Sequence, residues 1–138
     1  RCAHDQVLRY QGKLSGPLLD RIDMQVHVPA LPPEILMQAP VGETTASVQK
    51  RCQQAHERAI TRRGVSNHAL SAAQLQTLKV QAPAQQHVQQ QAARHGWSAR
   101  AVHRVMRVAQ TIADLAQADE IELPHVVQAM HFRMPLSP

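Results

Sequence analysis

Aromatic side chains are almost missing from this sequence, which has one Trp, one Tyr and one Phe in 138 residues. A β-sandwich draws on aromatic and β-branched residues for its core, so the scarcity argues against one. Ala, Val, Leu, Ile and Met must supply most of the 43% hydrophobic content, a composition that favours helix packing. No apolar run approaches the roughly 20 residues of a membrane-spanning helix, and no signal peptide is visible. The two cysteines, Cys2 and Cys52, lack the spacing of a disulfide framework, and a reduced cytoplasmic compartment is the simpler reading. Because the sequence opens on Arg1 and Cys2 rather than Met, we read it as a piece of a longer polypeptide.

Three catalytic signatures are also missing. Without GxxxxGK[ST], nothing in these residues can cradle a triphosphate by the usual backbone amides. Neither a GxSxG nucleophile elbow nor an HExxH metal pair occurs. The nine histidines are scattered and form no finger-type pair with cysteine, so no complete metal site is expected. Fifteen Lys and Arg against ten Asp and Glu give a formal charge of +5. That is compatible with a nucleic-acid partner, but solvated helix faces produce it as readily.

The first forty residues differ from the rest. Asp5 to Gln11 could form a short helix, broken at Ser15-Gly16-Pro17, with Leu18, Leu19 and Ile22 making a second apolar turn. Met24 to Val28 alternates apolar and polar residues, which predicts a half-buried strand. Pro29, Pro32, Pro33, Pro40 and Gly42 mark a linker that leaves room for one helical turn at Glu34 to Met37.

Beyond Gly42 the pattern is helical. Thr44 or Thr45 can cap a helix with the stripe Val48, Cys52, Ala55 and Ala59, ended by Gly64 behind Arg62 and Arg63. Ser71 and Gln74 make a capping box flanked by Leu70 and Leu75. The Gln-rich stretch from Gln81 to Arg94, with Val88, Ala92 and Ala93 as core candidates, reads as a helix ended by Gly96. The strongest pattern is Ser98 to Ala116, where Val102, Val105, Met106, Ala109, Ile112, Ala113 and Ala116 recur at helical spacing. A last helix starts at Pro124 and should bury Val126, Val127 and Met130. Five helices behind one strand make a mostly α domain.

Two arginines stand out by position. Arg21 lies between a short helix and the predicted strand, where an arginine is ordinarily a weak surface ion-pair partner. Arg100 opens the long helix and forms a polar stripe with Arg104 and Arg107. Periodicity alone reads that stripe as a solvated face, with a phosphate-binding stripe as the sharper alternative.

The run SGPLLDRIDMQVHVP, Ser15 to Pro29, resembles the signature before the lid of magnesium-chelatase-like AAA+ ATPases, in the bacterial ComM/YifB branch. GWSARAVHRVMRVAQTIADL, Gly96 to Leu115, resembles that family's lid helix, and Val41 to Ala46 its linker. The resemblance implies a helical lid bundle at residues 41–138, preceded by a short strand-containing arm at 1–40 from the edge of the AAA+ core. It implies that Arg21 is an arginine finger acting in trans on a neighbouring subunit's nucleotide. Arg100 matches the lid's second sensor arginine. A guanidinium suits both tasks because it stays charged and binds phosphate bidentately. The parent is then expected to be a cytoplasmic homo-hexamer using ATP and Mg²⁺ on DNA, with no membrane partner, and the piece alone to be inactive. A porphyrin-metallating chelatase and a non-enzymatic helical DNA-binding module are the rivals. Cys2 matches the last member of a cysteine cluster and so the edge of a truncated zinc site. The DNA-contacting residues are not identified.

Overall fold

A computed structural model describes residues 21–38 and 42–133. The expectations for Cys2, Asp5 to Gln11, Ser15 to Pro17, Leu18, Leu19 and Val41 lie outside these residues. The architecture is helical: α1 (Pro33–Gln38), α2 (Thr45–Arg63), a 3₁₀ turn (Asn67–Ala69), α3 (Ala72–Gln76), α4 (Ala82–His95), α5 (Ala99–Leu115) and α6 (Leu123–His131).

Most helix ends follow local chemistry. Thr44 caps α2 by accepting from the Ser47 N–H at 3.2 Å, and Gly64 closes it at φ 73°, a left-handed conformation that costs glycine nothing. At α3 the Ser71–Gln74 box is complete, with bonds of 3.2 and 2.9 Å, and Leu70 and Leu75 beside it are buried. Ser98 caps α5 through the Ala101 N–H at 3.2 Å. The long helix ends differently from α2 and α4, on Gln117 at φ 59°. There Ala118 N–H reaches back to Ala113 C=O at 2.9 Å, satisfying a terminal carbonyl as glycine-ended helices do. At α6, Glu122 N–H donates to His125 Nδ1 at 3.0 Å, so a buried histidine takes the capping role.

α5 is the central helix, touching α2, the 3₁₀ turn, α3 and α6, while α4 packs on α6. Its buried face is Ala101, Val105, Ala109 and Ala113, and these alanines let neighbours approach closely. Ala84 and Val88 of α4, Ile121, and Val126, Ala129 and Met130 of α6 complete the core. Each buried Val or Ile contributes about 1.5–3 kcal/mol. An isolated parallel bridge between Val80 and Ile121 ties the approaches to α4 and α6. Its hydrogen bonds are Ile121 N–H to Lys79 C=O at 2.8 Å and Gln81 N–H to Ile121 C=O at 3.0 Å.

Some expected core positions are not in the core. Val48 and Cys52 are exposed, leaving Ala55 and Ala59 as the buried face of α2. Val127 is 48% exposed because it lies about 100° around the helix from Val126. Ala93 and Ala116 are also exposed. Met24 to Val28 is not a strand; a strand needs a ladder, and among the described residues none runs beside it. Instead Gln25 N–H donates to Phe132 C=O at 2.7 Å, fastening the arm to the end of α6.

α2 is attached by arginines as well as methyls. Arg58 donates to Ala118 C=O and Asp119 at 3.0 Å, and Arg63 to the Thr77 side chain and carbonyl at 2.7 and 2.8 Å. Arg62 forms a two-pronged pair with Asp114, whose side chain is fully buried.

Candidate functional site

The arginine stripe of α5 divides into three different environments. Arg107 turns back onto the fold, with Nε and Nη2 donating to the buried Leu70 carbonyl at 3.2 and 2.6 Å. Arg104, with only 14% of its side chain exposed, pairs with Asp23 at 3.2 Å. Arg104 Nη1 has no hydrogen-bond partner among the described residues, so that contact is electrostatic rather than a well-aligned hydrogen bond. Arg100 is exposed and has no partner among the described residues. The stripe is therefore not a uniform solvated face. Two members make contacts within the fold, and Arg100 makes none among the described residues.

Arg100 sits in the first turn of α5, after the Ser98 cap. The positive pole of the helix and the unpaired amides of its first turn favour an anion there, and the guanidinium adds a full charge. Arg21 is also exposed, in a turn two residues before Asp23. The Asp23–Arg104 ion pair brings the Arg21 turn against the first half of α5, where Arg100 lies one turn from Arg104, about 6 Å along the axis. A groove of about 780 Å³ runs beside this junction, lined by Met24, Arg104, Arg107, Val108, Ile112 and Phe132 among others.

Sequence reasoning missed the polar hub around Asp114. Besides Arg62, its carboxylate accepts from Asn67 at 2.8 Å and Gln110 at 3.3 Å, and Asn67 also reaches Thr111 at 3.2 Å. The available signal was an Asp within the apolar stripe of the long helix, four residues after Gln110. Among the described residues no group of three His, Cys, Asp or Glu side chains could hold a metal. None of their helices is long and apolar enough to cross a membrane.

Residues 42–133 match the family model described as magnesium chelatase, subunit ChlI C-terminal, and residues 1–36 match that of magnesium chelatase, subunit ChlI. The chain belongs to the magnesium chelatase family. YifB of Salmonella typhimurium is 40% identical to this chelatase-family chain over 135 residues, and YifB of Escherichia coli is 37% identical. The competence protein ComM of Haemophilus influenzae is 33% identical. The alignments cover 96% of the chain but 27%, 27% and 26% of those three relatives. The chain thus spans about a quarter of the length of the curated relatives it matches. Within the family it falls in the branch of YifB and ComM, and its helical bundle is the family's C-terminal domain.

Proposed function

We propose that this chain is the C-terminal part of a hexameric AAA+ ATPase that acts on DNA, with residues 1–40 at the edge of the ATPase core and 41–138 forming its lid. Arg21 is the trans arginine finger and Arg100 the second sensor. The observation that carries this reading is the division of the α5 stripe. Arg104 and Arg107 are committed to Asp23 and to the Leu70 carbonyl, whereas Arg100, one turn before Arg104, is exposed and unpaired among the described residues.

Both guanidiniums, unpaired among the described residues, fit nucleotide phosphate. ATP with Mg²⁺ would be the parent's fuel, and Arg100 would hold phosphate oxygens bidentately. Arg21 would stabilise negative charge on the neighbouring subunit's γ-phosphate, a contribution of about 10³–10⁵ in rate for such fingers. With no phosphate loop of its own, the piece alone is inactive. The name of the Haemophilus relative places that protein in competence, and we extend a role of that kind, branch migration of recombination intermediates during transformation, to the parent of this chain.

The test is ATP binding and hydrolysis by the full-length protein. Arg21→Ala should leave binding nearly intact and cut hydrolysis heavily, and an undiminished turnover would refute the finger. The second reading, a chelatase-type motor, draws on the descriptions of both matching families. It would prevail if the full-length protein drove Mg²⁺ insertion into a porphyrin and its ATPase ignored DNA. A plain DNA-binding module resting on the stripe loses ground because two of its three arginines face inward partners.

A further inference from the structure

We infer that Asp23 and Arg104 form a positioning latch that fixes the Arg21 turn relative to the helical domain, so that Arg21 and Arg100 move as one unit. This rests on the proposed role of Arg21 as a finger, and the latch residues themselves touch no phosphate.

Three observations carry it. The ion pair joins residues 81 positions apart, linking the arm to the first half of α5 at 3.2 Å. Arg104 is largely covered while Asp23 is 57% exposed, so the pair is screened on one side only, and the buried Nη1 of Arg104, which has no hydrogen-bond partner among the described residues, has Asp23 as its facing charge. Second, the Gln25 N–H bond to Phe132 C=O at 2.7 Å pins the same arm two residues further on, to a different helix. Two attachments at neighbouring residues, one to α5 and one just past α6, restrict rotation as well as translation of the turn. Third, among the described residues the stretch that follows is not held in this way: Val26 is 61% and Val28 83% exposed. Among the described residues of the segment, the fastening lies at Asp23 and Gln25, within four residues of Arg21.

A finger works only when its guanidinium is held within a fraction of an ångström of the developing charge, and a misplacement of about 1 Å can cost on the order of 100-fold. A short turn two residues from a double anchor meets that demand better than a free arm would. Movement of the helical domain would then be transmitted to the finger through Asp23.

The experiment uses the full-length protein with Asp23→Asn, Arg104→Gln, the double variant and Arg21→Ala. The latch predicts that either single substitution lowers kcat about 10–100-fold with the KM for ATP and the melting temperature little changed. The double variant should be no worse than the worse single, because both remove one contact. In nucleotide-free protein, hydrogen-exchange mass spectrometry of the peptide around Gln25 should show faster exchange in either variant, with α5 peptides unchanged. Effects of the two substitutions that multiply, or an unchanged kcat or Gln25 exchange in Asp23→Asn while Arg21→Ala abolishes hydrolysis, would overturn the latch and leave the finger standing. Full hydrolysis by Arg21→Ala would overturn the finger, and the latch with it.

Discussion

Consider the Asp114 carboxylate replaced by a methyl group. Its side chain is fully buried and accepts from Arg62, Asn67 and Gln110. In Asp114→Ala, Asn67 keeps Thr111 as a partner, but Gln110, 4% exposed, loses the carboxylate. A buried donor left unpaired costs about 1–3 kcal/mol. Arg62 has 26% of its side chain exposed and can recover some hydration, so its share is discounted from the 3–5 kcal/mol of a fully buried broken pair. The sum is about 3 kcal/mol, or on the order of 15 °C in melting temperature for a domain this size. Urea unfolding followed by far-UV circular dichroism, with the half-buried Trp97 as a fluorescent reporter, measures it. A second comparison tests the sign. Arg62→Met strands a buried carboxylate, so adding Asp114→Asn to it should restore stability. A loss below about 1 kcal/mol in Asp114→Ala, or a double variant less stable than Arg62→Met alone, would refute the account.

Arg107→Ala strips both donors from the buried Leu70 carbonyl and should cost about 1–3 kcal/mol in chemical denaturation. Arg100→Ala should change stability by no more than about 0.5 kcal/mol, yet lower full-length ATPase or DNA-stimulated activity at least about tenfold. Gln117→Gly removes the Cβ from a residue held in the left-handed conformation and should raise stability by about 1 kcal/mol, read from the urea midpoint. The Arg51 guanidinium, hydrogen-bonded to Glu43 at 2.8 and 2.9 Å, holds that carboxyl below its ordinary value. Its small contribution is therefore present above the unfolded-state pKa and lost as pH falls through the folded one. Carboxyl NMR titration should show the Glu43 midpoint rising in Arg51→Met, and an unmoved midpoint would exclude the pair in solution.

What could be read from the residues was chemistry that acts over three or four positions. The caps at Thr44, Ser71 and Ser98 and the glycine stops at 64 and 96 are satisfied within one turn, and their sequence signals carry nearly all the needed information. Apolar stripes were less complete. Ala84 and Ala101 are buried but carry too little hydrophobic surface to stand out, while Val127 stands out and faces water. Of the polar hub only Asp114 and Gln110 could be read locally, because its other partners, Asn67 and Arg62, lie 47 and 52 residues from Asp114. Arg107 was misassigned to a common stripe because periodicity gives a helix face but not its occupant, here a backbone carbonyl that no residue type marks. Arg21 and Arg100 were legible as candidates through family resemblance. Physical pattern alone left them as ordinary exposed arginines.

The attachment of α2 gives this domain a seam. Across it lie only two buried methyl side chains, Ala55 and Ala59, against the continuous apolar packing that joins α4, α5 and α6. Arg58, Arg62 and Arg63 bridge the gap with long, adaptable reach. A joint of this kind is sensitive to ions where an oily one is sensitive to temperature. Raising salt weakens the exposed Arg58–Asp119 bridge most, touches the Arg63–Thr77 hydrogen bonds little, and leaves the α4–α5–α6 block intact. The first subglobal opening of the domain is therefore expected to free α2 from the α4–α5–α6 block, with the turn from Gly64 to Ser66 as its hinge, because Asn67 and Leu70 beyond it are buried and hydrogen-bonded to α5.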